Sequence, residues 1–340
     1  MKFLIIGAGA IGTYIGVSLA YAGQGVTFLV RPSTVARLQT AGLSLLQANG
    51  EQWRLNRPRL TTSLAEALDA LPDLAILTLK TYHTPALLKS IGELRTRFPP
   101  LLCLQNGVEA EAALSAFFGA ERVLSGTVTT AVARDESGQA MVTRARGIGL
   151  GQKHPLAEAV ASTFAAAGLH PRLYPNAMAM KWSKLLTNLL GNATSAILDM
   201  PPATIFAQRG LARLEIAQLK EALAVMDALG LPVVNLPGVS VRPLAWGIRH
   251  LPFTLLQPLL RRAVSGGRGD KMPSFHIDLH SRRGQTEVDA LNGAVVRYGA
   301  RLSVPTPVNH LLTETLQALT AGKIAPDTFR HRPQALLERR

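Results

Sequence analysis

Four short runs in the first 105 residues are apolar almost without a break: residues 2–6 (KFLII), 25–30 (GVTFLV), 74–79 (LAILTL) and 100–104 (PLLCL). Such continuity is what a strand covered on both faces requires, whereas a half-exposed strand would alternate. Helical spacing fills the gaps. After Gly12 the residues Ile15, Val17, Leu19 and Ala20 lead to a stop near Gly23. Strand and helix alternating in this way predict a parallel, doubly wound sheet with helices on both faces. Around residues 122–152 the pattern changes. VLSGTVTTAVAR, a DESGQ turn and AMVTRARGIGLG read as antiparallel strands closing that sheet, followed by an Ala-rich helix over 156–168. From residue 177 the spacing is helical only, over 177–198, 207–230, 272–299 and 306–321, the first helix stopping before Pro201-Pro202. Residues 231–271 stand apart, with five prolines, apolar clusters such as LPFTLLQPLL and a GGRGD turn. Their apolar content predicts a packed, proline-broken excursion rather than a disordered linker.

These patterns divide the 340 residues into an α/β domain over 1–174 with a Rossmann-type doubly wound sheet, and an all-α domain over 175–325 that contains the excursion at 231–271. A basic tail, 326–340, follows.

The first strand runs straight into Gly7-Ala8-Gly9-Ala10-Ile11-Gly12. GxGxxG alone is a weak signal in a chain with 29 glycines, but between a strand and a helix it specifies a pyrophosphate cradle. The first glycine permits the tight bend, the second lets the backbone approach the phosphates, and the third lets helix pack on strand. Free N–H groups at the helix N-terminus complete the site. The second strand ends at Arg31, where an NAD site usually carries an acid for the ribose 2′-hydroxyl, and no acid occurs between Gly12 and Glu51. Arg31, with Ser33 and Arg37 nearby, suits a 2′-phosphate, so the expected cofactor is NADP.

Composition narrows the class. With 47% hydrophobic residues the chain can bury a large core. No apolar run reaches the length of a membrane span, and the N-terminus lacks signal-peptide character. The single cysteine, Cys103, lies in an apolar run and reads as packing, without a disulfide or zinc pattern. These features suit a cytoplasmic protein and leave room for a homodimer. The net charge of +14 is concentrated in the second half and would draw anionic ligands, but no basic motif with interleaved aromatics marks a specific nucleic-acid partner.

Chemistry-bearing residues collect at three places. In KWSKLLTNLLGNATSAIL, residues 181–198, Lys184, Asn188 and Asn192 recur at i, i+4 and i+8 and would share one helix face. Asparagine is a poor helix former, so such a stripe reads as a polar lining more readily than as a solvated face. Asn106, in Gln105-Asn106-Gly107, and Lys80, in LTLKTYHT, both follow strands, where open α/β sheets bind ligands; an everyday turn and a surface lysine are the plainer alternatives. Glu287 opens a helical stretch, TEVDALNG, thirteen residues after Ser274, and could be no more than a cap. His276 and His280, at i and i+4 with Asp278 between them, lack the HExxH pattern and a clear third ligand, so no metal is expected.

Taken in order, GAGAIG at 7–12, LVR at 29–31, LTLK at 77–80, QNG at 105–107, KWSKLLTNLLGN at 181–192, PSFHID at 273–278 and TEVDALNG at 286–293 resemble the ketopantoate reductase family of the 6-phosphogluconate-dehydrogenase-like superfamily. The resemblance implies reduction of 2-dehydropantoate to (R)-pantoate, in pantothenate and coenzyme A synthesis, by NADPH. It implies Lys184 as general acid and Glu287 as the residue that holds the active centre by hydrogen bonding. Asn106, Asn188, Asn192 and Ser274 would grip the substrate. The glycine turn, Arg31, Lys80, Asn106 and Glu287 would hold the cofactor. The family's double serine is Pro273-Ser274 here, the excursion at 231–271 is longer than expected for the family, and one extra residue separates Asp278 from Glu287. Two alternatives stay open: a paralogous dehydrogenase of another 2-keto or hydroxy acid, and a nucleotide-sensing protein without catalysis.

Overall fold

The computed structural model describes residues 1–135, 138–268, 272–280 and 284–339, with backbone alone at 265–268. Parts of the DESGQ and GGRGD turns lie outside these residues. The chain forms two compact units, Met1–Lys181 with Leu236–Val239, and Trp182–Asn235 with Ser240–Arg340.

The first unit is built on β1 (Lys2–Ile6), α1 (Ala10–Tyr21), β2 (Gly25–Leu29), α2 (Pro32–Ala41), β3 (Leu43–Leu46), β4 (Gln52–Leu55), β5 (Arg59–Thr61), α3 (Leu64–Asp69) and β6 (Leu74–Leu77). It continues through α4 (Thr84–Ile91), β7 (Leu101–Cys103), α5 (Ala110–Phe118), β8 (Val123–Val128), β9 (Ala131–Arg134), β10 (Ala140–Arg144), β11 (Ile148–Gly151), α6 (Ala157–Ala166) and β12 (Pro171–Tyr174). Eight strands lie in the order β12-β11-β8-β7-β6-β1-β2-β5. The pairs from β8 through to β5 are parallel; β11 runs against β8, and β12 is parallel to β11. The two-sided character of β1 is literal. Phe3 and Ile5 enter one core with Tyr14, Ile15, Val17 and Leu19 of α1, while Leu4 and Ile6 enter another with Leu87, Ile91 and Phe118.

The expected closing strands are only partly right. β8 extends the parallel sheet and β11 turns antiparallel, but β9 and β10 leave to pair with β3 and β4 in a second, four-stranded sheet, β4-β3-β10-β9. That sheet packs on α1, and its Leu43, Leu45, Ala140 and Val142 share the core of Tyr14 and Leu19. The departure is pinned at its root. Thr129 donates its hydroxyl to the carbonyls of Gly147 and Pro237, and Thr130 Oγ1 accepts from the N–H groups of Arg146 and Gly147.

The second unit is helical, as expected. Its helices are α7 (Ala177–Leu189, which begins in the first unit), α8 (Asn192–Leu198), α9 (Pro202–Ala207), α10 (Arg209–Ala228), α11 (Val241–His250), α12 (Phe253–Arg268), α13 (Ser274–His280), α14 (Ala294–Leu302), α15 (Pro307–Thr320) and α16 (Pro333–Leu337). Two of the expected long helices are broken. The helix over 177–198 is interrupted at Gly191, whose φ of +61° is left-handed and cannot continue a right-handed helix. The stretch over 272–299 ends at His280 and resumes as a wide π-type turn, Asp289–Gly293, that runs into α14; Gly284, at φ +64°, lies in the interval. The excursion folds as α11 and α12, with Pro258 inside α12. No helix among the described residues is long and apolar enough to cross a membrane.

The glycine turn sits where the strand order reverses, with β2 on one side of β1 and β6 on the other. A Cβ on Gly12 would stand 1.9 Å from the Gly7 carbonyl oxygen and 2.7 Å from Thr78 Oγ1, whereas one on Gly9 would meet nothing within 4 Å. Gly12→Ala is therefore expected to cost about 3 kcal/mol or more, at the upper end for overpacking. Gly9→Ala should change stability by under about 1 kcal/mol. Urea unfolding of the two variants checks the contrast.

Candidate active site

The glycine turn has the form its sequence promised. Gly7, at φ +99°, makes the bend, and its N–H donates to Leu29 O of the neighbouring strand at 3.0 Å. Gly9 caps α1 with no side chain over the helix end and no acid in the first turn, so N–H groups of the Ala8–Gly12 segment and the positive end of the helix are offered to an anion. With Gly9 opening onto free space, this geometry fits a dinucleotide pyrophosphate. Two supports were not read from the sequence. Thr78, just past β6, donates its hydroxyl to Ile6 O and Gly7 O at 2.9 and 3.0 Å. Arg134 on β9 donates to Ala8 O at 2.6 Å and brings a guanidinium to the turn. Arg31 is exposed and caps α2, two residues past β2, with Ser33 and Arg37 also exposed.

Lys80 and Asn106 follow β6 and β7, both half-buried. What fixes these strand ends is a buried set of partners around Gln105 and Lys181. Gln105 Nε2 donates to Leu79 O at 2.9 Å, and its Oε1 accepts from Thr84 Oγ1 at 3.1 Å. Lys181, 2% exposed, donates to Gln105 O at 2.6 Å and to Gly126 O at 3.3 Å, and pairs with Glu111 at 2.7 Å. The carbonyl that it holds belongs to the peptide linking Gln105 to Asn106. Burial pushes the thiol pKa of the adjacent Cys103 up, so this side chain is packing, as expected.

In the second unit, Lys184 and Asn188 lie half-buried on α7. Asn192, the third member of the expected stripe, falls instead beyond the Gly191 break, at the start of α8. There it is buried and meets α13: its Nδ2 donates to Ser274 Oγ at 3.3 Å, and its Oδ1 accepts from the Phe275 N–H at 3.1 Å. Asn192 and Ser274 are thus brought together, Ser274 exposed and Asn192 beneath it. Glu287 is 2% exposed and stands two residues before the π-type turn, into which its carbonyl accepts from the Leu291 N–H at 3.1 Å.

A buried network stands behind these groups. Glu215 on α10 accepts from the Gly191 N–H at 2.8 Å, from Gln218 Nε2 at 2.6 Å and from the Thr194 hydroxyl. Gln218 Oε1 accepts from Asn292 Nδ2 at 3.0 Å, which also donates to Asn309 Oδ1 at 3.1 Å. Asn309 Nδ2 in turn donates to Glu221 Oε2 at 2.7 Å. Glu215, Gln218, Asn292 and Asn309 are all fully buried.

Comparison with known proteins finds matches in both units. The model of ketopantoate reductase PanE/ApbA matches residues 3–155, and that of the PanE/ApbA C-terminal region matches 176–320. The chain belongs to the ketopantoate reductase family. Among its relatives, the 2-dehydropantoate 2-reductase of Pyrococcus horikoshii is 28% identical over 323 residues, spanning 94% of this chain and 97% of its own. That of Halobacterium salinarum is 27% identical, spanning 93% and 98%. The crystal structure of 2-dehydropantoate 2-reductase from Geobacter metallireducens superposes with a TM-score of 0.76 at 26% identity, over 93% of this chain and 99% of that one. A D-mandelate dehydrogenase complex with NADH shares the fold, with a TM-score of 0.74 at 21% identity over 95% and 99%.

Within this family fold, Lys181, Glu111 and Glu215 escaped the reading of the sequence. Lys181 stands three residues before Lys184 in the same motif, and nothing in its spacing distinguishes a lysine that pairs internally from one offered to a ligand. Removing one partner of a buried pair leaves the other charge uncompensated. Lys181→Met is therefore expected to destabilise the protein by about 3–5 kcal/mol, and the double variant with Glu111→Leu to recover most of that loss. Equilibrium unfolding of the two single variants and the double measures it.

Proposed function

We propose that this chain reduces 2-dehydropantoate to (R)-pantoate with NADPH. The observation that carries the reading is that the helical unit, matched by the family over 176–320, holds Lys184 and Asn188 on one helix and the hydrogen-bonded Asn192–Ser274 pair beside it. The first unit supplies a turn shaped for a dinucleotide, with Arg31 where a 2′-phosphate would be met. The nicotinamide, when bound, supplies hydride to the carbonyl carbon of the substrate.

Lys184 gives a proton to the keto oxygen as negative charge develops there, so C=O becomes CH–OH with one hydride and one proton. Its ammonium also stabilises that charge before the proton moves. Asn188, Asn192 and Ser274 hold the hydroxyl and carboxylate of the substrate, and Glu287 fixes the centre by accepting hydrogen bonds. Ser274 is the exposed member, and Asn192 orients it from below. Asn106 and Lys80 serve the nicotinamide side, and their strand ends are tied down through Gln105 and Lys181. Lys181 contributes by position only, its ammonium being taken up by Glu111 and two carbonyls.

Oxidation of NADPH by the purified protein, with 2-dehydropantoate against a panel of 2-keto acids, tests the reading. The highest kcat/KM is expected with 2-dehydropantoate. Tight NADPH binding without turnover would favour a sensor, and a much higher kcat/KM on another acid would favour a paralogous dehydrogenase. Lys184→Ala should lower kcat by about 10²–10⁴-fold, the range for loss of a general acid. Arg31→Ala should weaken NADPH by about 10–100-fold, as loss of a hydrogen bond to a charged group does, and leave NADH nearly unchanged.

A further inference from the structure

The geometry points to a divalent transition-metal site, of the zinc class, formed by Asp199, His276 and His280. Sequence spacing brings the two histidines one helical turn apart on α13 but offers no third ligand. The fold supplies it from α8. Asp199 follows α8 directly, and its Oδ1 lies 2.6 Å from His276 Nε2 and 3.9 Å from His280 Nε2. The three ligand atoms all lie within 4.8 Å of one another, and among the described residues no other group of three His, Cys, Asp or Glu side chains converges in this way. Donors around a tetrahedral ion with bonds of about 2.0–2.1 Å stand roughly 3.3 Å apart, so the observed separations bracket what a zinc ion needs.

Several features of the cluster favour a cation. Asp199 holds its charge at the C-terminal end of α8, where the helix dipole disfavours an anion, and it does so in a left-handed conformation (φ +51°) that is uncommon outside glycine. The two imidazole rings lie 4.1 Å apart between centroids, which brings both within reach of one ion. Arg330 Nε bonds the other carboxylate oxygen, Oδ2, at 3.0 Å, which leaves Oδ1 turned toward the histidines. Such an outer partner orients a metal-bound carboxylate. His280 is exposed, which leaves a fourth position open to water. A donor set of two imidazoles and one carboxylate suits Zn²⁺, Co²⁺ or Ni²⁺ better than Mg²⁺ or Ca²⁺.

The site also has a place in the architecture. α8 and α13 are joined at their first residues by Asn192 with Ser274 and Phe275, and the proposed ion would join them again, from the residue that follows α8 to the two histidines within α13. It would thereby hold the helix that presents Ser274.

The test uses untagged, chelator-stripped full-length protein, titrated with Zn²⁺ by calorimetry and with Co²⁺ by visible absorption. One equivalent is expected to bind in the micromolar range or tighter, with a Co²⁺ d–d spectrum. His280→Ala and Asp199→Asn should each weaken binding by at least about tenfold, since loss of even an outer-shell partner does as much. His310→Ala, which alters an exposed histidine on α15, should leave affinity unchanged. His280→Ala removes an exposed ring, and its circular dichroism without metal should match the parent, so weaker binding there reports the site and not misfolding. Absence of binding at millimolar Zn²⁺, or one-equivalent binding unaffected by His280→Ala and Asp199→Asn, overturns the proposal. No step requires turnover, so its failure is distinct from failure of the reductase reading.

Discussion

The buried carboxylate of Glu215 is the constraint on which the helical unit depends. A carboxylate out of water is costly unless its oxygens are fully engaged, and here they take the Gly191 N–H, the Thr194 hydroxyl and the Gln218 amide. That engagement fixes where α7 stops and α8 starts. Gly191 can adopt the left-handed turn, and a Cβ there would stand 3.1 Å from the ring of Pro202. Asn192 therefore points from a new helix toward α13, while Lys184 and Asn188 remain on α7. Through Gln218, Asn292 and Asn309 the same network reaches the π-type turn that follows Glu287. Groups that read as a single stripe in the sequence are thus delivered from two helices, α7 and α8, whose junction is referred to α10. Within this network Asn292 Oδ1 is left without a hydrogen-bond partner, while the bonds made by the other members hold them in place.

The first unit solves a comparable problem with an ion pair. Lys181 and Glu111 cancel one another in the interior, and the lysine's remaining donors hold the carbonyls of Gln105 and Gly126. The glycine turn is held by uncharged and cationic donors on its carbonyls, Thr78 on Ile6 and Gly7 and Arg134 on Ala8, and Gly12 has no room for a side chain while Gly9 does. A tight turn with one open face can receive a ligand without rearranging.

Most of the doubly wound sheet was legible because β1, β2, β6 and β7 are short and apolar on both faces, which suits a strand with helices packed on either side. The second sheet was not. β3 and β4 are four residues each, and β4 (QWRL) has no buried position, so little periodicity marks it. β9 and β10 read as closing strands because their partner, β3, lies about a hundred residues away in sequence and local pattern carries no trace of it. The break at Gly191 was hidden by helix-compatible residues on both sides, and its cause, Glu215, lies on another helix. Among the candidate residues, Asn192 and Ser274 are hydrogen-bonded to one another, a contact that the spacing of their motifs does not show, and the histidine pair gained in Asp199 a partner that the spacing along α13 could not show.

On this account the Glu215 network sets the position of Asn192, and through it Ser274, the groups proposed to hold substrate, without itself touching substrate. The most direct measurement is kcat/KM for 2-dehydropantoate in Glu215→Gln, taken beside the dissociation constant for NADPH. The isosteric amide places an N–H against one of the three donors and should shift Asn192. A misplacement of about 1 Å can cost about 10²-fold, so kcat/KM should fall by that order while NADPH affinity holds. A kcat/KM within twofold of the parent would contradict the account.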